Sequence, residues 1–525
     1  MLDLEHSELT SSRVRKVGAL ASKTRQLICG HLGEYSILAP ASVVQLYAEA
    51  TLDPLACSSD ASTNADLSRN ADRVRAATVA LRTLCLAEIR SHAPSTVPIV
   101  YLNLFADACI LSALEKLLVG SNGSPRGLLE VIPYAEIIRD IDTGLVISGP
   151  SISIELRAAV NELLSNLALV ESCYFIFSIP ADRDEFCSTL FGSFVDSVYA
   201  PTLQYKVQQI RGTSVSLFDD VQRSYTDQSS HIVQSASAPE YAPVHFLGLA
   251  TDWPAVNKWN SLTYLLEATN YGHRLVPAEI GSSYLTDAWD QKLLPFGDLL
   301  NDWCDPRCSV ATVKYLAQHD LFLQIETLRR DILIPDIINA RSLSKRPRAV
   351  ATTSGGHTII NAWVGPEGTI SPQHTDPHDN ILVQAVGYKY VRLYPRTTDN
   401  SAMYPHKSKL ADMSNTSEVE LERGCFGTIF GDSDVLGKPS FLSYSQALMK
   451  TDLNDDGLEI NSAVFLGMRE RMIAKKEYRE RYANFAWDSG YLECILAPGD
   501  ALFIPAGWWH YVKSLSPSFS VNFWF

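Results

Sequence analysis

Thr369-Ile370-Ser371-Pro372-Gln373-His374-Thr375-Asp376-Pro377-His378-Asp379-Asn380 carries the densest chemistry in the chain. His374 and Asp376 are two positions apart, and on a strand such residues project from one face. An imidazole and a carboxylate then point at a common spot. The run Ala497-Pro498-Gly499-Asp500-Ala501-Leu502-Phe503-Ile504-Pro505-Ala506-Gly507-Trp508-Trp509-His510 offers a third ligand in His510. Two His and one carboxylate form the facial triad that suits Fe(II) and leaves coordination positions open. Taken alone, His-x-Asp is a common pattern and His510 reads as a packed core histidine. The flanking chain decides between the two.

On both sides of the motif the pattern is that of short strands. Ile359 to Val364, Asn380 to Val386, Tyr388 to Tyr394, Leu492 to Leu496, Ala501 to Ile504 and Ser518 to Phe523 are apolar or alternating, with Gly and Pro at their corners. Gly387 alone separates two of them, which predicts a hairpin or a bend. Upstream, Val244 to Leu247 and Leu275 to Ile280 read as strands, and Phe296 to Cys304 and Leu321 to Asp331 as helical. Many short strands with helices outside predict a double-sheet jelly roll. Thr226 to Pro243 is rich in Ser, Ala, Gln and Pro and reads as a linker.

Ahead of the linker the period changes to that of helices. Ser68 to Ile89, Leu104 to Val119 and Ile152 to Leu169 each repeat apolar residues at helical spacing, and Asp184 to Tyr225 reads as one or two more helices. The fold class is therefore α+β: a helical accessory domain over 1–230, then a C-terminal β domain over 231–525. Nothing in the helical part has catalytic spacing.

The chain has 525 residues, 46% of them hydrophobic, enough for a sizeable core. Its formal net charge of -15 argues against non-specific nucleic-acid binding as the main activity and is compatible with a basic peptide as partner. No apolar run is long enough to span a membrane. The ten Cys are scattered; Cys304 and Cys308 lack a second pair at zinc spacing, so they read as ordinary thiols. The N-terminus has no signal-peptide pattern, so nucleus or cytoplasm is expected. Asp452 to Gly457 begins like a calcium loop, but its twelfth position is Ala463, so it reads as an acidic turn. The basic run Arg341, Lys345, Arg346, Arg348 reads as a solvated loop.

From about residue 243 onward the chain resembles the JmjC-domain oxygenases, in particular the arginyl-hydroxylase and peptidase branch also called lysine demethylase 8. The matching words are Asn361-Ala362-Trp363 with Gly365-Pro366, and Gly368-Thr369-Ile370-Ser371-Pro372 leading into His374-x-Asp376. Then come Gly387-x-Lys389-Tyr390-x-Arg392-Leu393-Tyr394, Tyr404-Pro405-His406, Pro498-Gly499, Phe503-Ile504-Pro505, Trp509-His510-Tyr511-Val512 and Phe519-Ser520-Val521 before Phe523-Trp524. Tyr315-Leu316-Ala317-Gln318-His319 fits as well. One departure is the spacing of the two histidines, 510 − 374 = 136 positions, longer than is usual in the family. The excess lies in an expected rim insertion at about 426–481.

The resemblance implies a double-stranded β-helix (a cupin barrel) that binds Fe(II) through His374, Asp376 and His510, and 2-oxoglutarate as co-substrate. Lys389 would meet the far carboxylate of 2-oxoglutarate, with donors from Tyr284, Ser371 and Asn380. Trp363 and Trp524 match positions that flank the substrate side chain, where aromatic faces suit a cation. Glu279 is a candidate acidic partner. His378 competes as a ligand by spacing, but the family pattern does not use it. The implied activity is an O₂-dependent protein hydroxylase acting on arginine. The alternatives are N-methyl-lysine demethylation, or a catalytically silent scaffold or chromatin-associated binding protein.

Overall fold

The computed structural model describes residues 2–51, 64–93, 96–119, 133–171, 203–232, 241–281, 289–303, 313–340, 358–396, 398, 400–407, 413–425 and 473–525. Tyr284, Cys304 and Cys308, the Arg341 to Arg348 run, the calcium-like turn and most of the expected insertion lie outside these residues.

Thirteen strands among the described residues form two sheets. They are β1 (Gln208–Arg211), β2 (Val244–Leu247), β3 (Leu275–Ile280), β4 (Asp290–Pro295), β5 (Lys314–His319), β6 (Ile359–Gly365) and β7 (Ile370–His374). β8 (Asn380–Val386), β9 (Lys389–Tyr394), β10 (Leu492–Leu496), β11 (Ala501–Ile504), β12 (Trp509–Ser514) and β13 (Ser518–Trp524) complete the set. The large sheet runs β1-β2-β11-β8-β13-β6-β5-β3-β4 and the small one β10-β9-β12-β7. All pairings but β1 with β2 are antiparallel among these strands. β8 and β9 lie in different sheets, so Gly387 is a corner and not a hairpin turn. Its φ is +74°, and a Cβ there would stand 2.0 Å from the Pro517 carbonyl oxygen. Only glycine fits.

Strand alternation sorts the side chains into layers. On β13, Phe519, Val521 and Phe523 join Phe246, Phe503, Trp253, Trp259 and Phe296 in a core between the large sheet and its covering helices. On β9, Tyr390 and Tyr394 face out with Trp509, Tyr511, Phe485 and Trp487. Between the sheets, Leu382, Val391, Leu393, Leu496, Leu502, Ile504 and Val512 make the inner core. The other face of β13 is polar: Ser518, Ser520 and Asn522 are all buried. Buried polar residues that alternate with core residues are what a barrel with a polar interior requires.

The helical region packs its own core from helices Leu2–Gly30, Ala41–Ala50, Asn64–Ser91, Ile99–Val119, Tyr134–Ser148 and Ile154–Glu171. The β region starts before residue 231. β1 pairs with β2, and Phe218 of helix Val215–Ile232 packs edge-on against Phe503. Of the segment read as purely helical, residues 208–211 are therefore strand, because pairing with β2 outweighs local propensity. The two regions meet at a buried ion pair. Arg274 donates from Nε to both Asp142 oxygens at 3.0 and 2.9 Å, and from Nη2 to Oδ1 at 2.9 Å. Gln324 Nε2 and the Leu275 backbone N–H add bonds to the same carboxylate. Among the described residues, no helix is long and apolar enough to cross a membrane.

Candidate metal centre

β7 and β12 run antiparallel at the mouth of the small sheet, with His510 opposite His374. Two residues further along β12, Val512 stands opposite Ser371, so β7 has advanced three residues where β12 has advanced two. That extra residue is a β-bulge, which re-aims side chains. It lets Ser371 and His374, three apart, face the same cavity. It also corrects the simple alternation: β7 ends at His374, and Asp376 lies in the turn beyond it. Asp376 is aimed by backbone anchors rather than by strand pleat. Its carbonyl accepts the Gly507 N–H at 2.8 Å, Thr375 N–H donates to the Asn415 carbonyl at 2.9 Å, and Asp379 Oδ1 accepts the Ala506 N–H at 2.8 Å.

His374, Asp376 and His510 converge, with one ligand atom from each lying within 4.8 Å of the others. Asp376 offers Oδ1 3.9 Å from His374 Nε2 and Oδ2 3.5 Å from His510 Nε2. Each imidazole is oriented from behind. His374 Nδ1 lies 2.7 Å from the Pro372 carbonyl, and His510 Nδ1 lies 3.1 Å from that of Trp508. A carbonyl only accepts, so each Nδ1 carries the proton and each Nε2 keeps its lone pair for the centre. Burial, reinforced by His510, pushes the His374 pKa down to about 4, so this imidazole is neutral. Burial alone would raise Asp376. The neighbouring side chains of His510, His374 and His378 outweigh it and hold the carboxylate below its usual range. Two imidazoles, each with Nε2 turned to the centre, and a carboxylate fit a divalent cation.

Behind this face is a cavity. Of the residues singled out in the sequence, Trp363, Ser371, His374, Asp376, Asn380, Lys389 and His510 line it. Lys389 is buried, and burial, its one cause of shift, pulls its pKa down to about 7. Its Nζ lies 3.4 Å from the Tyr315 hydroxyl and 5.7 Å from that ring's centre. Among the described residues, Tyr315 is thus the hydroxyl bonded to the lysine. Tyr315 and Asn522, which also lines the cavity, were not singled out from sequence as site residues. Asn522 had a signal: a lone amide in the buried polar file of β13. Tyr315 had none beyond its word match, because β5 reaches the site only through pairing with β6.

Glu279 and Trp524 do not line this cavity. Glu279 pairs with Tyr315 across β3 and β5; burial raises its pKa, against a hydrogen bond from Trp289 that lowers it. Trp524 stacks on His378, ring centres 5.4 Å apart and planes 26° apart. His378 is thus occupied by an aromatic face and stands outside the three-residue cluster. Trp508 is fully buried, and its indole N–H donates to the Tyr241 carbonyl at 3.2 Å.

Residues 229–525 match the cupin-like domain family. The chain is 34% identical over 283 residues to lysine-specific demethylase JMJ30 of Arabidopsis thaliana, covering 54% of this chain and 49% of that protein. It is 35% identical over 284 residues to lysine-specific demethylase 8 of Danio rerio (54% and 52%). Jumonji C domain-containing protein 5 of Drosophila melanogaster is 34% identical over 285 residues, covering 54% of each chain. The chain spans about half the length of the curated relatives it matches. A two-sheet barrel with a His-Asp-His face at its mouth, matched by the family over 229–525, places the chain in the cupin-like family, as a JmjC-type member.

Proposed function

We propose that this chain is an Fe(II)- and 2-oxoglutarate-dependent oxygenase that hydroxylates arginine side chains of a basic protein or peptide. One observation carries the proposal: a three-ligand face and a buried lysine share one cavity. When bound, Fe(II) and 2-oxoglutarate would supply the oxidation by O₂, with succinate and CO₂ leaving and one oxygen atom passing to the substrate. The chain's own work is placement. His374, Asp376 and His510 hold three positions on one side of the metal and leave the rest open. Lys389, with Tyr315 and Ser371 around it, takes the far carboxylate of the co-substrate. That anion answers the desolvated ammonium. Asn380 adds a donor. Trp363 forms an aromatic wall at the cavity, and Trp524 with Glu279 stand farther out. Aromatic and acidic groups together suit a guanidinium.

A second reading, removal of a methyl group from N-methyl-lysine, draws support from relatives named lysine-specific demethylases. The same face serves both reactions. Hydroxylation of an N-methyl carbon ends in loss of formaldehyde, whereas hydroxyarginine is stable. A silent scaffold is disfavoured by the complete ligand set. Nucleus or cytoplasm is the proposed setting, a reducing environment in which Cys29, Cys85, Cys109, Cys425 and Cys494 stay free.

The test is succinate release from 2-oxoglutarate in air with added Fe(II) and a basic peptide pool, comparing wild type with His374→Ala. Wild type should release succinate and the variant none above background. Mass spectrometry of the pool then distinguishes hydroxyarginine from methyl loss. Wild type that fails to bind 2-oxoglutarate would sink the proposal.

A further inference from the structure

Two amides and an indole in the cavity wall form a line whose polarity can be read without seeing hydrogens. Trp363 Nε1 lies 2.8 Å from Asn522 Oδ1. An indole N–H only donates, so the Asn522 atom facing it must be the oxygen. Asn522 therefore turns its NH₂ the other way, where Nδ2 lies 3.3 Å from Asn380 Oδ1. Asn380 in turn must accept there, which leaves its own NH₂ as its free polar end. That NH₂ makes no hydrogen bond among the described residues, and Asn380 lines the cavity with His374 and Asp376. Asn522 is 1% exposed and sits on β13 between β6, which carries Trp363, and β8, which carries Asn380. No water needs to join this line, and no member can flip without losing a bond to the next.

We infer that Asn522 is a positioning residue that locks the Asn380 amide with its NH₂ toward the cavity, and that Trp363 sets this orientation through it. The site is thereby built to receive an oxygen acceptor at Asn380, and the aromatic wall is tied to the co-substrate pocket. This rests on the reading that Asn380 faces 2-oxoglutarate. Replacement by Asp supplies acceptors on both sides, so Asn380 must turn its NH₂ back and present its carbonyl to the cavity. Replacement by Leu removes the lock and leaves the amide free to rotate.

The experiment uses the full chain loaded with Mn(II), which supports binding without turnover, and titrates 2-oxoglutarate by calorimetry. Asn522→Leu should weaken binding about tenfold and Asn522→Asp about a hundredfold, in line with hydrogen bonds to charged groups. Thermal melting of each variant checks folding. Amide-selective ¹⁵N spectra give a second readout that needs no ligand: Trp363→Phe should move the Asn380 side-chain signal, two bonds away. Asn522→Asp binding 2-oxoglutarate within threefold of wild type overturns the inference, and so does an Asn380 signal unmoved in Trp363→Phe. If wild type itself fails to bind 2-oxoglutarate, the oxygenase proposal falls. The Asn380 signal then decides the relay alone.

Discussion

Two cations, Arg274 and Lys389, are buried to almost the same degree, at 3% and 2% exposure, yet their surroundings are opposite. Arg274 is saturated. It makes three bonds to Asp142 and a fourth to the Gln324 carbonyl at 2.9 Å. Gln324 returns to Asp142 and to the Leu275 carbonyl, and its Oε1 meets His319 Nε2 at 2.7 Å. Arg392, on the outer face of the small sheet, is similarly met by Glu493, Tyr390 and the Tyr491 ring. Among the described residues, Lys389 has a phenol oxygen at 3.4 Å and no anionic partner. A buried charge with every partner in place is architecture, whereas one left short of an anion marks where a ligand belongs. The first belongs to the joint between helical and barrel regions, the second to the cavity.

The largest break in this comparison comes from the saturated side. Asp142→Ala strands Arg274 without its carboxylate, and removing one partner of a buried pair costs about 3–5 kcal/mol. The full chain should melt several degrees lower. Because β3 and β5 lead from this joint to Glu279 and Tyr315, binding of 2-oxoglutarate should also weaken. A variant that melts with wild type would mean that the joint is not a structural clamp.

Lys389→Met tests the other side, and its two effects should oppose. Affinity for 2-oxoglutarate should fall about a hundredfold with loss of the ion pair. Stability of the ligand-free protein should rise, because a desolvated ammonium is replaced by an apolar chain. The pH dependence carries the sign. Unfolded, the lysine keeps its proton to its ordinary 10.5; folded, only to about 7. Between those values the folded state binds fewer protons, so this group makes stability rise with pH, and below 7 it adds no slope. Denaturant titrations at several pH values should show that rise in wild type and lose it in Lys389→Met. By the same linkage, 2-oxoglutarate binding above pH 7 should take up a proton, visible as a buffer-dependent binding enthalpy.

The unequal legibility of these sites follows from range. The three-ligand face was readable because His374, Asp376 and His510 sit in short words, and Lys389 because it follows a glycine corner on an apolar strand. The bulge in β7 was not readable, since it exists only against the register of β12. Tyr315 was missed because its approach to Lys389 depends on β5 pairing with β6 across a long stretch of chain. Asp142 was invisible for a related reason. It is one acid on an amphipathic helix until Arg274, 132 positions away, folds onto it. The strand at 208–211 was hidden because four residues carry little pattern of their own.

Glu279 falls between the two cases and should give the smallest effect. It is half-buried, it neighbours the cavity through Tyr315, and burial raises its pKa although Trp289 donates to it. A carboxylate held above its usual pKa is costly when charged, and a cationic substrate side chain would relieve that cost. Glu279→Gln should therefore raise KM for a basic peptide about tenfold or less and leave kcat little changed, the mark of lost ground-state binding. Wild-type affinity for the peptide should also climb as pH rises through the raised Glu279 pKa, because only the ionised form attracts a cation; the variant should lack that climb. Equal KM and equal pH profiles in wild type and variant would put Glu279 with the saturated, architectural groups and leave Trp363 to recognise the cation by its face alone.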